Sequence, residues 1–178
     1  MTSETIREAI DRAHAYYREH PDDVRSTDSA ATARVVDGLV VDVTGPDDLR
    51  VTTDMVASVG GTGTAPSPGW LLRAAEASCV ATLIAMRAAM LGITLTTVEV
   101  TVDSESDDRG LLGIDDAVAA GPLRGRVAVR IGADGVDDAT LDEVARWGVK
   151  HCPVVDALER AVPIETVVDI GGREATSQ

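Results

Sequence analysis

Between Ser67 and Ile93 the chain reads SPGWLLRAAEASCVATLIAMRAAMLGI, its longest apolar run. Helix signals bracket it. Ser67 is a good N-cap, because its hydroxyl accepts from an amide left free in the first turn. Pro68 suits the first helical position, where its fixed φ helps and its missing N–H costs nothing. Gly92 supplies a stop just past the last periodic residue. The residues between are strong helix formers, mostly Ala, Leu, Met and Arg. Leu72, Ala75, Cys79, Leu83, Met86 and Met90 recur at three- and four-residue steps and predict one inward face. The other faces are also mostly Ala, Val and Ile, which predicts a helix buried on all sides. Arg73, Glu76 and Arg87 make a membrane span expensive. The stretch therefore predicts a central core helix with the Cys79 thiol turned inward.

Such a helix needs partners, and 178 residues suffice for one domain with a real core. With no Phe and only two Trp and two Tyr, that core must be built from Val, Leu, Ile, Ala and Met. The net charge of −14 argues against nucleic acid and anionic membranes as partners. Residues Met1 to His20 are charged and amphipathic and lack the apolar core of a signal peptide, which predicts a cytoplasmic protein. Two cysteines in that compartment suit a transient redox bond better than a structural staple. His14, His20 and His151 are too scattered for a metal site, and no cofactor is implied.

Ile6, Ala9, Ile10, Ala13 and Tyr17 predict an N-terminal helix ending near His20, ahead of Pro21. Residues 1–25 are taken as a helical extension and 26–178 as the main domain. Three strands follow: Ala31–Val36, Leu39–Thr44 and Leu49–Val56. Asp37-Gly38 makes a hairpin between the first two, and Gly45-Pro46-Asp47-Asp48 turns into the third. The Gly60–Thr64 loop lacks the lysine of a P-loop and the spacing of a dinucleotide fingerprint, so it is taken as a plain connection. Beyond the central helix, Val98, Val100 and Val102 alternate with polar residues in a strand from Thr94 to Glu105. A loop or partly helical excursion spans Asp107–Gly121. Leu123–Ile131 is a further strand, and Arg124, Arg126 and Arg130 on its polar side balance nearby acids. Asp137 or Asp138 caps a helix that breaks at His151-Cys152-Pro153. A short helix, a closing strand at Ile164–Ile170 and a frayed tail from Gly171 complete an α+β fold with a mostly antiparallel sheet.

The two thiols sit in different local settings. Cys79 lies well inside its helix, where the dipole has faded, and Glu76 one turn earlier disfavours a thiolate. Cys152 precedes a proline, which places it at the start of the next helix beside free amides, Lys150 and His151. Local physics therefore names Cys152 the more acidic thiol.

The proline-started helix from Pro68 to Cys79 and the later His151-Cys152-Pro153-Val154 together resemble the OsmC/Ohr family of organic hydroperoxide reductases and osmotically induced relatives. The resemblance runs from about Ala31 to Ile170. It implies an intertwined homodimer, with two long buried helices between curved sheets and active sites at the subunit interface. It also implies that Cys79 attacks an organic hydroperoxide, that Cys152 closes a disulfide with it, and that an external dithiol reduces the pair. That order reverses the local ranking of the two thiols. The family carries Glu where this chain has Gly69, and that Glu orients an Arg toward the thiolate. Here Arg34 and Arg50 are the candidates for that Arg, with Glu76 as a substitute carboxylate. A ligand-binding relative with Trp70, Met86 and Met90 in its pocket, and a redox sensor, are the competing readings.

Overall fold

The computed structural model describes residues 2–170. Helix α1 (Ser3–Glu19) starts at Thr2, whose hydroxyl accepts from the Thr5 amide at 3.3 Å. It stops at His20, whose amide donates to Tyr16 O at 2.8 Å just before Pro21. Strands β1 (Thr32–Asp37), β2 (Val40–Thr44) and β3 (Arg50–Thr53) form an antiparallel sheet in that order. Gly38 turns the hairpin at φ +52°, and Asp47 and Asp48 take φ of 53° and 60° in the next turn. Both turns fall where their residue types predict them.

Helix α2 (Pro68–Met90) begins at Ser67, whose Oγ accepts from the Trp70 amide at 3.2 Å. After Gly92, strand β4 (Leu95–Glu105) leads through the short helix α3 (Asp108–Leu111) to strand β5 (Arg124–Ala133). β4 and β5 pair antiparallel from Leu95 opposite Ala133 to Glu105 opposite Arg124. One face pairs Val98 with Ile131, Val100 with Val129 and Val102 with Val127. The other pairs Glu99, Asp103 and Glu105 with Arg130, Arg126 and Arg124, at 3.7, 2.6 and 2.5 Å. The basic side of β5 is thus a solvated face balanced by acids across the ladder, and such exposed pairs add little stability. Helices α4 (Asp138–Lys150) and α5 (Pro153–Glu159) follow, with Asp137 capping α4 through the Thr140 amide at 3.0 Å.

The core lies where α2 crosses α4 and both meet the valine face of β4 and β5. Val80, Ile84, Ala88, Val144, Cys152 and Val155 form its buried centre. Gly148 is what lets the helices approach. A Cβ there would lie 2.5 Å from Ile84 Cγ1 and 2.9 Å from the Ile84 backbone nitrogen.

Three expectations need correction. The inward face of α2 is Val80, Ile84 and Ala88, whereas Leu72, Cys79, Leu83, Met86 and Met90 are half-buried and Ala75 is exposed. A helix apolar on all sides leaves its orientation to its neighbours, so spacing alone does not select the face, and the all-round burial of α2 is absent within this chain. Ile164–Ile170 is not a strand: residues 161–170 are exposed and irregular, with no sheet edge taken up. The β-structure forms two separate sheets, one of three strands and one of two. Among the described residues no helix packs extensively across the three-stranded sheet, and Val35, Val36, Leu49 and Val51 are exposed while Thr53 at its end is buried. The proposed frayed tail from Gly171 lies outside the described residues. α2 is long and apolar enough to cross a membrane by length and composition. It packs against α4 and β4 and carries Arg73, Glu76 and Arg87 along its length.

Candidate active site

Cys79 and Cys152 are brought together although 73 positions in sequence separate them. Cys79 is half-buried on α2, packed against the core cluster. Cys152 is fully buried at the break between α4 and α5, with extended backbone at φ −74° and ψ 116°. Pro153 enforces that conformation, since the residue before proline is pushed out of the helical region. The Cys152 amide donates to Val149 O at 3.2 Å, and its carbonyl accepts from the Asp156 amide at 2.9 Å. The break thereby fixes the Cys152 backbone while its side chain points at α2. The two thiols share one apolar cluster, lie close enough for Cys152 to affect the titration of Cys79, and are both free rather than joined.

The break at Pro153 does present an amide to a sulfur, as the local argument requires, but to the other sulfur. The Val154 backbone amide lies near Cys79 and favours its thiolate. Burial acts against this and is the larger effect, and the neighbouring Cys152 thiol adds to it, so the Cys79 thiol is pushed up overall. In sequence, Pro153 announced an exposed helix start, but only the packing of α5 on α2 decides which thiol receives it.

Glu76 is half-buried, and burial pushes its carboxyl up. It lines a cleft of about 470 Å³ together with Arg73, Ser104 and Leu123. The inner wall of that cleft, Val127, Val149 and Val155, belongs to the same apolar cluster as both cysteines. Arg73, which the sequence reading used only to exclude a membrane span, donates from Nη1 to Ser104 Oγ at 3.2 Å. Its guanidinium borders Gly69, where a Cβ would make ordinary contact with Nη1 at 4.0 Å. Arg34 and Arg50 sit exposed on β1 and β3. Because no helix packs extensively across that sheet, neither packs beside Cys79 within one chain.

A family model described as OsmC-like protein matches residues 61–167, more than half of the chain. The chain belongs to the OsmC-like family. Solved structures agree in fold. An organic hydroperoxide resistance protein OsmC from Legionella pneumophila matches with a TM-score of 0.56 at 21% identity, over 75% of this chain and 90% of that one. An OsmC-like protein from Mycoplasma pneumoniae gives 0.64 at 16% identity, over 77% of this chain and 91% of that one. The organic hydroperoxide resistance protein OhrB of Bacillus subtilis gives 0.51 at 20%, over 76% and 93%. No curated protein matches the chain.

In this OsmC-like chain the Gly-rich loop ahead of α2 has an occupant of its own. Asp54, 1% exposed, takes the loop's donors. Its carboxylate accepts from the amides of Met55, Thr62 and Thr64 at 2.7, 3.0 and 3.1 Å. The hydroxyls of Thr62 and Thr64 add bonds at 2.6 and 3.3 Å. The Thr62 hydroxyl contributes most to holding the carboxyl well below the usual carboxylate range. Gly61 is obligatory here, because a Cβ would fall 1.8 Å from Met55 O. The loop is thus a connection tied by an internal anion, with its donors already committed. Sequence reading missed Asp54; an aspartate ahead of Gly-Gly-Thr-Gly-Thr is the signal it left unused.

Proposed function

We propose that this protein is a thiol-dependent peroxidase that reduces organic hydroperoxides through Cys79 and Cys152. The observation that carries the proposal is the pair of free thiols in one apolar cluster, Cys152 buried at the start of α5 and Cys79 half-buried on α2. In the first step the Cys79 thiolate attacks the peroxide O–O bond. Sulfur keeps one oxygen as sulfenic acid, and the alkoxide leaves and takes up a proton to become the alcohol. The Cys152 sulfur then attacks Cys79, water leaves with the Cys152 proton, and a disulfide remains. An external dithiol returns both thiols by exchange.

The reading includes an intertwined homodimer in the cytoplasm. It is supported by the half-buried stripe Leu83, Met86 and Met90 on α2 and by the exposed valines of a three-stranded sheet that no helix covers among the described residues. A second copy's sheet would carry Arg34 and Arg50, one of which is proposed to supply the charge that offsets burial at Cys79. Glu76 is proposed to orient that arginine in place of a carboxylate at Gly69.

The deciding experiment is intact mass of the reduced protein before and after a stoichiometric dose of a bulky organic hydroperoxide. Fast loss of two hydrogens, mapped to a Cys79–Cys152 bond and reversed by a dithiol, is expected. Slow over-oxidation of Cys79 alone would sink the mechanism. The second reading, a ligand-binding relative, draws on Gly69 and on the upward shift at Cys79. It predicts that Cys152→Ser leaves ligand binding unchanged.

A further inference from the structure

Beside the crossing of α2 and α4 lies a stacked group that the chemistry above does not use. Trp147 and His151, one turn apart at the end of α4, have ring centroids 4.0 Å apart and planes 16° from parallel. His151 Nδ1 also donates to Trp147 O at 2.8 Å. From α2, Arg87 reaches over the same indole with its guanidinium carbon 5.3 Å from the ring centroid. Its Nη2 is 2.7 Å from Glu143 Oε1. This placement seals Arg87 Nε from solvent without an acceptor. An unsatisfied buried donor on a charged group is costly, so the ion pair and the cation–π contact must hold Arg87 there against that cost.

The two ends of this group matter for the thiols. His151 is covalently joined to Cys152 and caps α4. Arg87 stands two turns beyond Cys79 on the same helix. The stack therefore ties the helix that carries Cys79 to the residue that precedes Cys152. It does so from outside the core: His151 and Glu143 are exposed, and Trp147 is half-buried. A disulfide tolerates only narrow separations and torsions, so small freedom at residue 151 changes how readily the pair closes.

We propose that Arg87, Trp147 and His151 form a bracket that positions Cys152 for bond formation with Cys79. They are positioning residues and touch neither substrate nor reacting sulfur. The proposal rests on the disulfide of the reading above, and its test is arranged so that the two fail separately. Wild type, His151→Ala, Trp147→Leu and Trp147→Phe are equilibrated with glutathione redox buffers at a temperature where each is folded. The Cys79–Cys152 disulfide is then quantified by mass. The effective concentration of one thiol at the other is expected to fall about tenfold in His151→Ala and Trp147→Leu, as preorganisation is lost. Trp147→Phe, which keeps a stacking ring, is expected to restore most of it. Alkylation of Cys79 by iodoacetamide should be unchanged in all three.

Closure as ready as wild type in both His151→Ala and Trp147→Leu overturns the bracket, whatever happens to their melting temperatures. So does a wild type that forms no disulfide in the most oxidising buffer. A wild type that closes with glutathione yet ignores hydroperoxide overturns the peroxidase reading and leaves the bracket supported. If Trp147→Leu does not fold, Arg87→Met with His151→Ala carries the same comparison.

Discussion

Gly148→Ala tests the tightness of the α2–α4 crossing. Glycine inside a helix costs about 0.5–1 kcal/mol relative to alanine, so propensity alone predicts that the substitution stabilises. The structure predicts the reverse. The new Cβ would meet Ile84 Cγ1 at 2.5 Å, the Ile84 nitrogen at 2.9 Å and Ile84 Cα at 3.2 Å. A rotamer change can move Cγ1, but only a shift of one helix relieves the backbone atoms. Overpacking of this kind costs roughly 1–3 kcal/mol. Backbone contact puts this site toward the upper end, so the net loss after the helix gain is about 2 kcal/mol. For a chain of this size that corresponds to a fall in Tm of about 4–8 °C. The assay is thermal unfolding by circular dichroism, with Ile84→Ala and the double variant alongside. Ile84→Ala removes the Cγ1 clash but not the backbone one, so the double variant should recover only part of the overpacking cost. A rise in Tm for Gly148→Ala would refute the reasoning outright, because it would show that the crossing has room for a methyl group.

Three further outcomes are expected. Cys152→Ser should consume about one equivalent of organic hydroperoxide and then stop, since sulfenic acid forms but finds no thiol to condense with; peroxide consumption against protein concentration measures this, and sustained turnover with a dithiol would count against Cys152. Alkylation of Cys79 should accelerate with pH past the ordinary thiol value of about 8.5, because burial and Cys152 raise its pKa. A midpoint below neutrality would mean that a cation from a second copy reaches it. Asp54→Asn should speed hydrogen exchange at the Thr62 and Thr64 amides while leaving the α2 core protected. The Asp54 carboxyl is depressed in the folded state, so its stabilisation is complete above the unfolded value of about 3.9 and is lost as pH falls below it. Exchange at those two amides should therefore show no extra acid sensitivity in Asp54→Asn.

Local chemistry made most of the elements legible. Ser67-Pro68, Asp37-Gly38 and Asp137 each specify a boundary through a cap or turn that acts on its own backbone, and each is realised. The alternation of Val98, Val100 and Val102 likewise specified which side of β4 meets the core. Orientation of α2 was not legible, because apolar residues on every side make all rotations equal until α4 and β4 choose. The closing strand failed for a related reason: Ile164, Val167 and Val168 have strand-like composition, but pairing needs an edge that composition does not supply. At the site, both cysteine contexts were readable. The assignment of the Val154 amide to Cys79 was not, since it depends on how α5 docks on a helix far away in sequence. Arg73 went unread because its significance lies in the emptiness of Gly69 one turn earlier.

The knot around Asp54 has a mechanical consequence. It sits between the end of β3 and the start of α2, and the Asp54 amide also donates to Pro66 O at 3.2 Å. Among the described residues no helix is laid across the three-stranded sheet, so a change of angle at this joint would move the sheet as a lever arm roughly 20 Å long at the rise of an extended strand. A slip of about 10° at the pivot swings the hairpin tip at Gly38 by about 3.5 Å, the width of a side-chain contact. The aim of the arm therefore rests in part on one carboxylate staying charged.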